Sequence, residues 1–159
     1  MTVKERSIPA GASRPRPSLK ARAMGLLARR EHSRQELSRK LERIAPEGEN
    51  VELVLDELAA KGWLSDARFA EQSVRIKARR YGPIKVAHDL RAKGVGDEVI
   101  ADAVRVAGVD GAANIESVWR TRFSAAPANE RERARQVRFL QGRGFALDTV
   151  LRFFREILP

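Results

Sequence analysis

Arginine is the residue type in this sequence best suited to chemistry with a partner. The chain of 159 residues has 31 Lys and Arg against 21 Asp and Glu, a formal net charge of +10, and seven of the 31 are Lys, which leaves 24 Arg. The planar guanidinium binds carboxylates and phosphates through two parallel hydrogen bonds and tolerates partial burial. This bias favours recognition of a polyanion or of an acidic protein surface over solubility alone.

The basic side chains concentrate in clusters. Arg75 and Arg79 follow Arg68 by seven and eleven residues, a spacing that predicts one helical face. Clusters at equivalent turns indicate a continuous positive strip that follows a polyanion or an acidic groove, although a merely solvated face is the alternative. The candidate partner-binding residues are Arg29, Arg30, Arg34, Arg68, Arg75, Lys77, Arg79, Arg80, Lys85, Arg131, Arg135 and Arg138.

Residues suited to catalysis or metal binding are sparse. The chain has no cysteine, which excludes disulfides, thiol nucleophiles and cysteine-ligated metals, and neither His32 nor His88 has a neighbour with metal-ligand spacing. No serine lies in a G-x-S-x-G setting, and no glycine-rich loop has a nucleotide-binding pattern. We therefore predict that the protein is not an enzyme and has no catalytic, cofactor or metal site. A hydrolase or transferase with an unrecognised carboxylate pair stays open.

The sequence also lacks membrane and secretion signals. No apolar run approaches the ~20 residues that a membrane span needs. Lys4 and Arg6 are not followed by the apolar stretch of a secretory signal. The absence of cysteine fits a reducing compartment. We expect a cytoplasmic protein that does not bind membranes.

Helices position these residues. From Ser18 onward apolar residues recur at helical spacing, and no stretch alternates as a strand would. Ser33 is followed three residues later by Glu36, as in a capping box, and Asn129 repeats the pattern with Glu132. Pro83 suits the first turn of a helix. Further helix starts are predicted at Asn50, at Ser65 or Asp66, and at Asp110.

Nine predicted helices fall into three sets of three. Leu41, Leu90 and Leu140 are 49 and 50 residues apart, and the last two are followed alike by residues 93–95 (KGV) and 143–145 (RGF). A period near 50 is typical of repeat arrays. We predict an all-α fold of three tandem three-helix repeats in an elongated, curved array. The predicted divisions are a disordered basic tail over residues 1–17 and repeats over residues 18–64, 65–109 and 110–159.

The two tryptophans fit structural roles. A repeat of about 45 residues buries little surface alone, so stacking on neighbouring repeats must stabilise it. Trp63, with Leu64, immediately precedes the second repeat and is expected to pack at the joint. Trp119 is expected to pack inside the third repeat. Stacking of a nucleic acid base is the less favoured alternative, because both tryptophans lie at helical spacing with other apolar residues.

Five segments of the sequence form a recognisable set of motifs: residues 28–37 (ARREHSRQEL), 62–70 (GWLSDARFA), 80–83 (RYGP), 90–95 (LRAKGV) and 138–145 (RFLQGRGF). Together they resemble the RecX family. The resemblance extends in order from about Ser18 to the C-terminus, and the DARFA and YGP elements are specific in combination. Residues 43–46 (RIAP) depart from it, because the family often has Lys-Gly there.

The resemblance implies a negative regulator of RecA, the bacterial recombinase. Proteins of this family bind in the groove of the RecA–single-stranded DNA filament, hinder its growth and suppress strand exchange, ATP hydrolysis and co-protease activity. It also implies three tandem three-helix repeats in a curved molecule. We expect a monomer whose positive strip contacts RecA, single- or double-stranded DNA, or both.

The alternative function is direct, largely sequence-nonspecific nucleic-acid binding. A pI near 10.9 and a helix–turn–helix-like pairing at residues 33–61 support it. A sequence reader needs a recognition helix with polar residues that contact bases. The candidate helix at residues 51–61 instead carries Glu52, Asp56 and Glu57, which would repel phosphate. Sequence-specific reading is therefore disfavoured.

Overall fold

Nine helices follow one another in the computed structural model, which describes residues 15–109 and 111–158 and contains no strand in these ranges. Residues 1–14 of the predicted tail and the predicted helix start Asp110 lie outside the described residues. Residues 15–17 are exposed and have no regular structure. The helices are α1 (Leu19–Arg29), α2 (Arg34–Glu42), α3 (Val51–Ala60), α4 (Asp66–Lys77), α5 (Pro83–Ala92), α6 (Asp97–Val106), α7 (Ile115–Arg120), α8 (Glu130–Gly142) and α9 (Leu147–Ile157).

Side-chain caps begin several helices where the sequence predicts them. Ser33 Oγ accepts a hydrogen bond from the backbone N of Glu36 at 3.1 Å, and Asn129 Oδ1 accepts one from the backbone N of Glu132 at 2.9 Å. These bonds satisfy donors that a first helical turn leaves without partners. Pro83 is the first residue of α5, as predicted. The same capping bond is made by Ser18, Asn50 and Ser65.

Each set of three helices encloses a core of its own, and we call the sets the first (α1–α3), second (α4–α6) and third (α7–α9) units. The three buried clusters each contain residues of one unit. Leu41, Leu90 and Leu140 occupy equivalent places in these cores and are at most 1% exposed. The predicted all-α fold of three tandem three-helix repeats is confirmed. Where one repeat ends and the next begins stays a prediction.

The two tryptophans differ in their surroundings. Trp119 is 4% exposed in the core of the third unit, as predicted, and its Nε1 donates to Gln136 Oε1 at 2.7 Å. Trp63 is 44% exposed, so the prediction that it packs at a joint is wrong. The backbone N atoms of Trp63 and Leu64 both donate to the carbonyl oxygen of Leu58. This tight turn buries Leu64 in the first core and leaves Trp63 at the surface.

The joint between the first and second units is made mainly by polar side chains. Ser33 Oγ donates to the carbonyl oxygen of Lys93 at 2.6 Å, and the backbone N of Arg34 donates to Asp66 Oδ1 at 2.8 Å. An ion pair joins Arg68 Nε to Glu31 Oε1 at 2.9 Å. The capping serine of α2 therefore also links two units.

The joint between the second and third units is made by backbone atoms in close contact. The backbone N of Gly82 donates to the carbonyl oxygen of Arg143 at 2.7 Å, and the backbone N of Ile84 donates to that of Gly144 at 3.1 Å. A Cβ at Gly82 would lie 2.5 Å from the Gly144 carbonyl oxygen, so no larger residue fits without a shift. Buried Asn114 adds hydrogen bonds across this joint.

The units are arranged in sequence order. Among residues 15–109 and 111–158, hydrogen bonds and ion pairs join the first unit to the second and the second to the third, and none joins the first to the third. None of the helices in these ranges has both the length and the apolar character that a bilayer crossing requires.

Candidate partner-binding surface

Three arginines on α8 form the clearest unpaired basic cluster. Arg131, Arg135 and Arg138 are exposed and line a groove of about 490 Å³, together with Asn129 and Glu132. None of the three has an ion pair within the described residues. The acid of the groove is engaged elsewhere, because Glu132 Oε2 accepts a hydrogen bond from the backbone N of Ala128 at 2.9 Å. The groove is therefore available to an anion.

A second unpaired pair lies in the turn after α4. Arg79 and Arg80 are exposed and have no ion pair in the part of the chain that the structure describes. The predicted helical face of Arg68, Arg75 and Arg79 is wrong in its last member, because α4 ends at Lys77. The turn leads directly into the glycine contact at the second joint. Arg79 and Arg80 thus lie within three residues of Gly82.

Three other cations of the second unit, Arg75, Lys77 and Lys85, bind acids of the same unit. Lys77 Nζ and Lys85 Nζ contact the two oxygens of Asp89 at 2.9 and 2.8 Å. Burial alone would raise the pKa of Asp89, but the hydrogen bonds from the two lysines outweigh it and lower the pKa to about 2. Arg75 is more loosely held, at 4.0 Å from Glu71.

The predicted cluster of the first unit is largely paired. Arg30 binds Glu36 through both terminal nitrogens, at 3.2 and 2.6 Å. This hydrogen bonding lowers the pKa of Glu36 to about 2. Arg34 Nη2 contacts Glu52 at 2.7 Å and Asp56 at 2.6 Å, and these hydrogen bonds raise the pKa of Arg34.

The twelve predicted residues therefore divide into two groups. Six are paired with a carboxylate at 4.0 Å or less, and six have no carboxylate partner within the described residues. The paired residues are Arg30, Arg34, Arg68, Arg75, Lys77 and Lys85. The unpaired residues are Arg29, Arg79, Arg80, Arg131, Arg135 and Arg138.

Sequence reasoning missed a basic surface around α2. Arg39 and Arg43 are exposed without ion pairs in the described part of the chain, and with Lys40 and Lys93 they surround a cavity of about 200 Å³ that Glu36 also lines. The four-residue spacing of Arg39, on α2, and Arg43, the residue that caps its C-terminus, was a readable signal. The contribution of Lys93 was not readable, because it comes from the second unit.

The two histidines occupy different environments. His32 is buried, its Nδ1 lies 3.0 Å from the carbonyl oxygen of Arg30, and its Nε2 lies 3.0 Å from Lys40 Nζ. Burial lowers the pKa of His32, so the neutral ring accepts a hydrogen bond from the Lys40 ammonium. His88 is exposed beside Asp89. In the described ranges no group of three or more His, Asp or Glu side chains could hold a metal ion.

The acids of α3 also bind cations of this chain. Glu52 and Asp56 contact Arg34, and Glu57 contacts Lys20 and Lys61. This helix is the second of the helix–turn–helix-like pair, and its exposed face is acidic. The arrangement provides no base-reading residues there, as the sequence predicts.

Family comparison covers the same three units. Models of the first, second and third three-helix domains of RecX match residues 20–58, 65–104 and 110–154. The chain belongs to the RecX family. RecX relatives carry the name "Regulatory protein RecX": that of Ralstonia nicotianae is 43% identical over 138 residues, covering 87% of both chains. The relative in Chromobacterium violaceum is 44% identical over 133 residues, covering 84% of this chain and 86% of its own.

The fold of RecX is also found in solved structures. The crystal structure of RecX from Lactobacillus salivarius aligns with a TM-score of 0.69, covering 87% of this chain and 94% of the other. A second crystal structure, of a regulatory protein RecX, aligns with a TM-score of 0.64. Identities of 20% and 21% limit these two likenesses to the fold.

Proposed function

We propose that this protein is a negative regulator of RecA that binds in the groove of the RecA–single-stranded DNA filament. It hinders filament extension and so suppresses strand exchange, ATP hydrolysis and co-protease activity. It acts by binding and catalyses no reaction of its own. The observation that carries the proposal is the family match across all three units, together with relatives named as regulatory proteins.

The unpaired arginines make the contacts in this proposal. Arg79 and Arg80 belong to the second unit, and Arg131, Arg135 and Arg138 belong to the third. A tandem array can contact successive subunits of a filament, so that weak contacts add through multivalency. An arginine without an internal carboxylate loses no ion pair when it binds an acidic surface. Arg75 is added to these contacts, because its pairing with Glu71 at 4.0 Å is loose.

A titration of RecA ATPase activity tests the regulatory role. Purified protein is added to RecA on single-stranded DNA at increasing ratios. We expect ATPase activity and strand exchange to fall at less than one molecule per RecA, because blocked extension affects more than one subunit. Unchanged activity at a molar excess would reject the proposal.

A charge-reversal triple variant tests the contact residues. Arg75→Glu/Arg79→Glu/Arg80→Glu is expected to weaken binding to the filament without loss of helicity. The matched control is the triple variant Arg105→Glu/Arg152→Glu/Arg155→Glu. These three arginines are exposed, and their reversal lowers the net charge by the same amount as the first triple does. Pull-down on assembled filaments and circular dichroism measure both variants. Equal weakening by both triples would show that net charge alone matters, and loss of helicity in the first would assign its arginines to the fold.

Direct nonspecific nucleic-acid binding is the second candidate function. The unpaired arginine groove on α8 favours it, since guanidinium groups bind phosphates. Affinity for single strands would fall by ~0.7 log units per log unit of salt for each phosphate neutralised. Gel shifts without RecA across a salt series measure this slope. The two functions are separated if the protein still inhibits the ATPase activity of RecA at a salt concentration that abolishes the gel shift.

We further propose that the protein acts as a monomer in the cytoplasm, where RecA and DNA are available. The array exposes its partner-facing arginines without a second copy. Light scattering at the concentrations of the ATPase assay measures the mass. A dimer at those concentrations would contradict this part of the proposal.

A further inference from the structure

One cavity is lined mainly by apolar side chains of the first unit. Met24, Leu27 and Ala28 contribute from α1, and Gly62 and Trp63 contribute from the turn after α3. The volume of the cavity is about 350 Å³. Arg68 of α4 completes the lining. The cavity is large enough for one or two bulky apolar side chains.

Two large side chains of this cavity are exposed to solvent. Met24 is 40% exposed and Trp63 is 44% exposed. Single exposed apolar residues are common and need no explanation, whereas a contiguous set around a cavity is typical of an interaction site. Tryptophan, methionine and arginine are also the residue types enriched in protein interfaces. The surface therefore fits a protein partner.

Two cations lie at the cavity, and each also contacts a carboxylate of this chain. Among the described residues, Arg68 is the only charged one that lines the cavity. Lys61 Nζ lies 5.0 Å from the centroid of the Trp63 ring and 3.0 Å from Glu57 Oε1. Arg68 contacts Glu31 through Nε alone, so its two terminal nitrogens have no partner within the described residues. These nitrogens can donate to a carboxylate of a bound segment.

We propose that this cavity binds an acidic amphipathic segment of a partner protein. A bulky apolar side chain of the segment lies against Met24, Leu27 and Trp63, and a neighbouring carboxylate accepts hydrogen bonds from the terminal nitrogens of Arg68. This is the arrangement of a helix bound in a groove through its apolar face. The proposal does not depend on the proposed function, and its test contains no RecA.

Charge argues against two other occupants. Residues 1–17 of this chain contain Lys4, Arg6, Arg14 and Arg16 against the single acid Glu5, so this segment has the same sign as Arg68 and Lys61. A nucleic acid strand has the opposite charge, but its flat bases and hydroxylated sugars fill the space beside Met24 and Leu27 less well than a leucine or phenylalanine side chain does. The acidic apolar segment satisfies both the charge and the apolar lining.

Tryptophan fluorescence of the full chain measures binding. Trp119 is buried in the third unit, so a change in emission on ligand addition reports Trp63. The probe is a synthetic helical peptide with leucines and a phenylalanine on one face and glutamates on the other. We expect a saturable shift of the emission. A peptide in which lysines replace the glutamates should bind at least roughly tenfold more weakly, because the cations then repel it.

Two variants test the location. Met24→Glu places a charge among the apolar side chains and should weaken peptide binding by roughly tenfold or more. Ala28→Glu, at an exposed position of the same cavity, should act alike, so a folding defect in one variant leaves the other informative. The control is Leu53→Glu on α3, where the residue is 66% exposed and does not line the cavity. The control should bind the peptide as the unmodified chain does.

Other outcomes would overturn the proposal. These are the absence of a saturable shift, equal binding of the lysine peptide, or peptide binding that survives both cavity variants. A shift caused by a single-stranded oligonucleotide or by a peptide of residues 1–17, but not by the acidic peptide, would assign the cavity to that occupant instead. Self-association that Met24→Glu abolishes would assign it to a second copy of the chain.

Discussion

Gly82 and Gly144 are in contact where the second and third units meet, and neither position has room for a side chain. A Cβ at Gly82 would lie 2.5 Å from the Gly144 carbonyl oxygen. A Cβ at Gly144 would lie 2.4 Å from the Cβ of Lys85. Gly144 also has a φ of +93°, a conformation that other residues rarely adopt. The relative placement of these two units is therefore fixed by the absence of side chains.

We predict that Gly82→Ala destabilises the protein by about 1–3 kcal/mol, because the added methyl group forces the joint apart. Chemical denaturation followed by circular dichroism measures the free energy of unfolding. The control is Gly25→Ala in the middle of α1, where a Cβ meets nothing within 4 Å. That change should stabilise the protein by about 0.5–1 kcal/mol. Equal stability of the Gly82 variant and the unmodified chain would contradict the prediction.

Ser33 and Ser65 form a matched pair of helix caps with different further contacts. Ser65 Oγ accepts a hydrogen bond from the backbone N of Arg68, whereas Ser33 Oγ accepts one from that of Glu36 and also donates to the Lys93 carbonyl oxygen. We predict that Ser65→Ala costs about 1 kcal/mol. Ser33→Ala should cost about 1–3 kcal/mol more, because the Lys93 carbonyl loses its partner at the joint.

Denaturation of both serine variants measures this difference. If the two alanine variants lose the same free energy of unfolding, the hydrogen bond between the first and second units does not contribute to stability. A larger loss in the Ser65 variant would contradict the assignment of the joint to Ser33.

Asn114 donates two hydrogen bonds across the second joint. Its Nδ2 lies 2.7 Å from the carbonyl oxygen of Ala78 and 3.0 Å from that of Tyr81. We predict that Asn114→Ala costs about 2–4 kcal/mol, because two acceptors at the joint lose their donor. Asn114→Asp should cost more, since it places acceptor oxygens against acceptor oxygens. Thermal unfolding orders the variants, and an aspartate variant as stable as the unmodified chain would refute the prediction.

The Glu36 carboxylate makes the free energy of unfolding depend on pH. Its side chain is 11% exposed, and the hydrogen bonds from Arg30 lower its pKa from 4.5 to about 2. The folded state then binds fewer protons than the unfolded state, so this stabilisation is complete above pH 4.5 and is lost as the pH falls to about 2. Its size is at most about 3 kcal/mol, since solvent reaches the Arg30 side and screens the pair.

The Glu36→Gln variant tests this pH dependence. Its free energy of unfolding should fall less steeply than that of the unmodified chain between pH 4.5 and pH 2. The control, Glu98→Gln, removes a charge from the exposed start of α6, where Glu98 has no ion pair in the described part of the chain. It should keep the original slope. Parallel curves for Glu36→Gln and the unmodified chain would contradict the prediction.

Much of the fold could be predicted because its determinants are local. Caps such as Ser33 and Asn129 act on the turn that follows them, and the period that relates Leu41, Leu90 and Leu140 is visible in the chain itself. The exposed position of Trp63 could not be predicted in this way. Hydropathy places a tryptophan inside, whereas the backbone turn after Gly62 decides which of Trp63 and Leu64 enters the core.

The candidate site was less predictable because pairing is not local. Arg68 contacts Glu31, and Arg34 contacts Asp56, across separations of 37 and 22 residues. A one-dimensional pattern identifies clusters of cations but not the carboxylates that tertiary structure brings to them. Arg131 and Arg135 on α8 could be located from helical spacing, whereas their lack of partners required the structure.

The internal pairing of half the predicted cations has a consequence for ionic-strength experiments. A cation that already binds a carboxylate displaces few mobile counterions when a polyanion approaches. The slope of log affinity against log salt concentration therefore reports the number of cations that contact phosphate, not the formal charge of the protein. For this chain, arginines such as Arg79 and Arg131 should set the number of phosphates that the protein neutralises on a nucleic acid strand. That number should be well below what the net charge of +10 and the size of the basic clusters suggest.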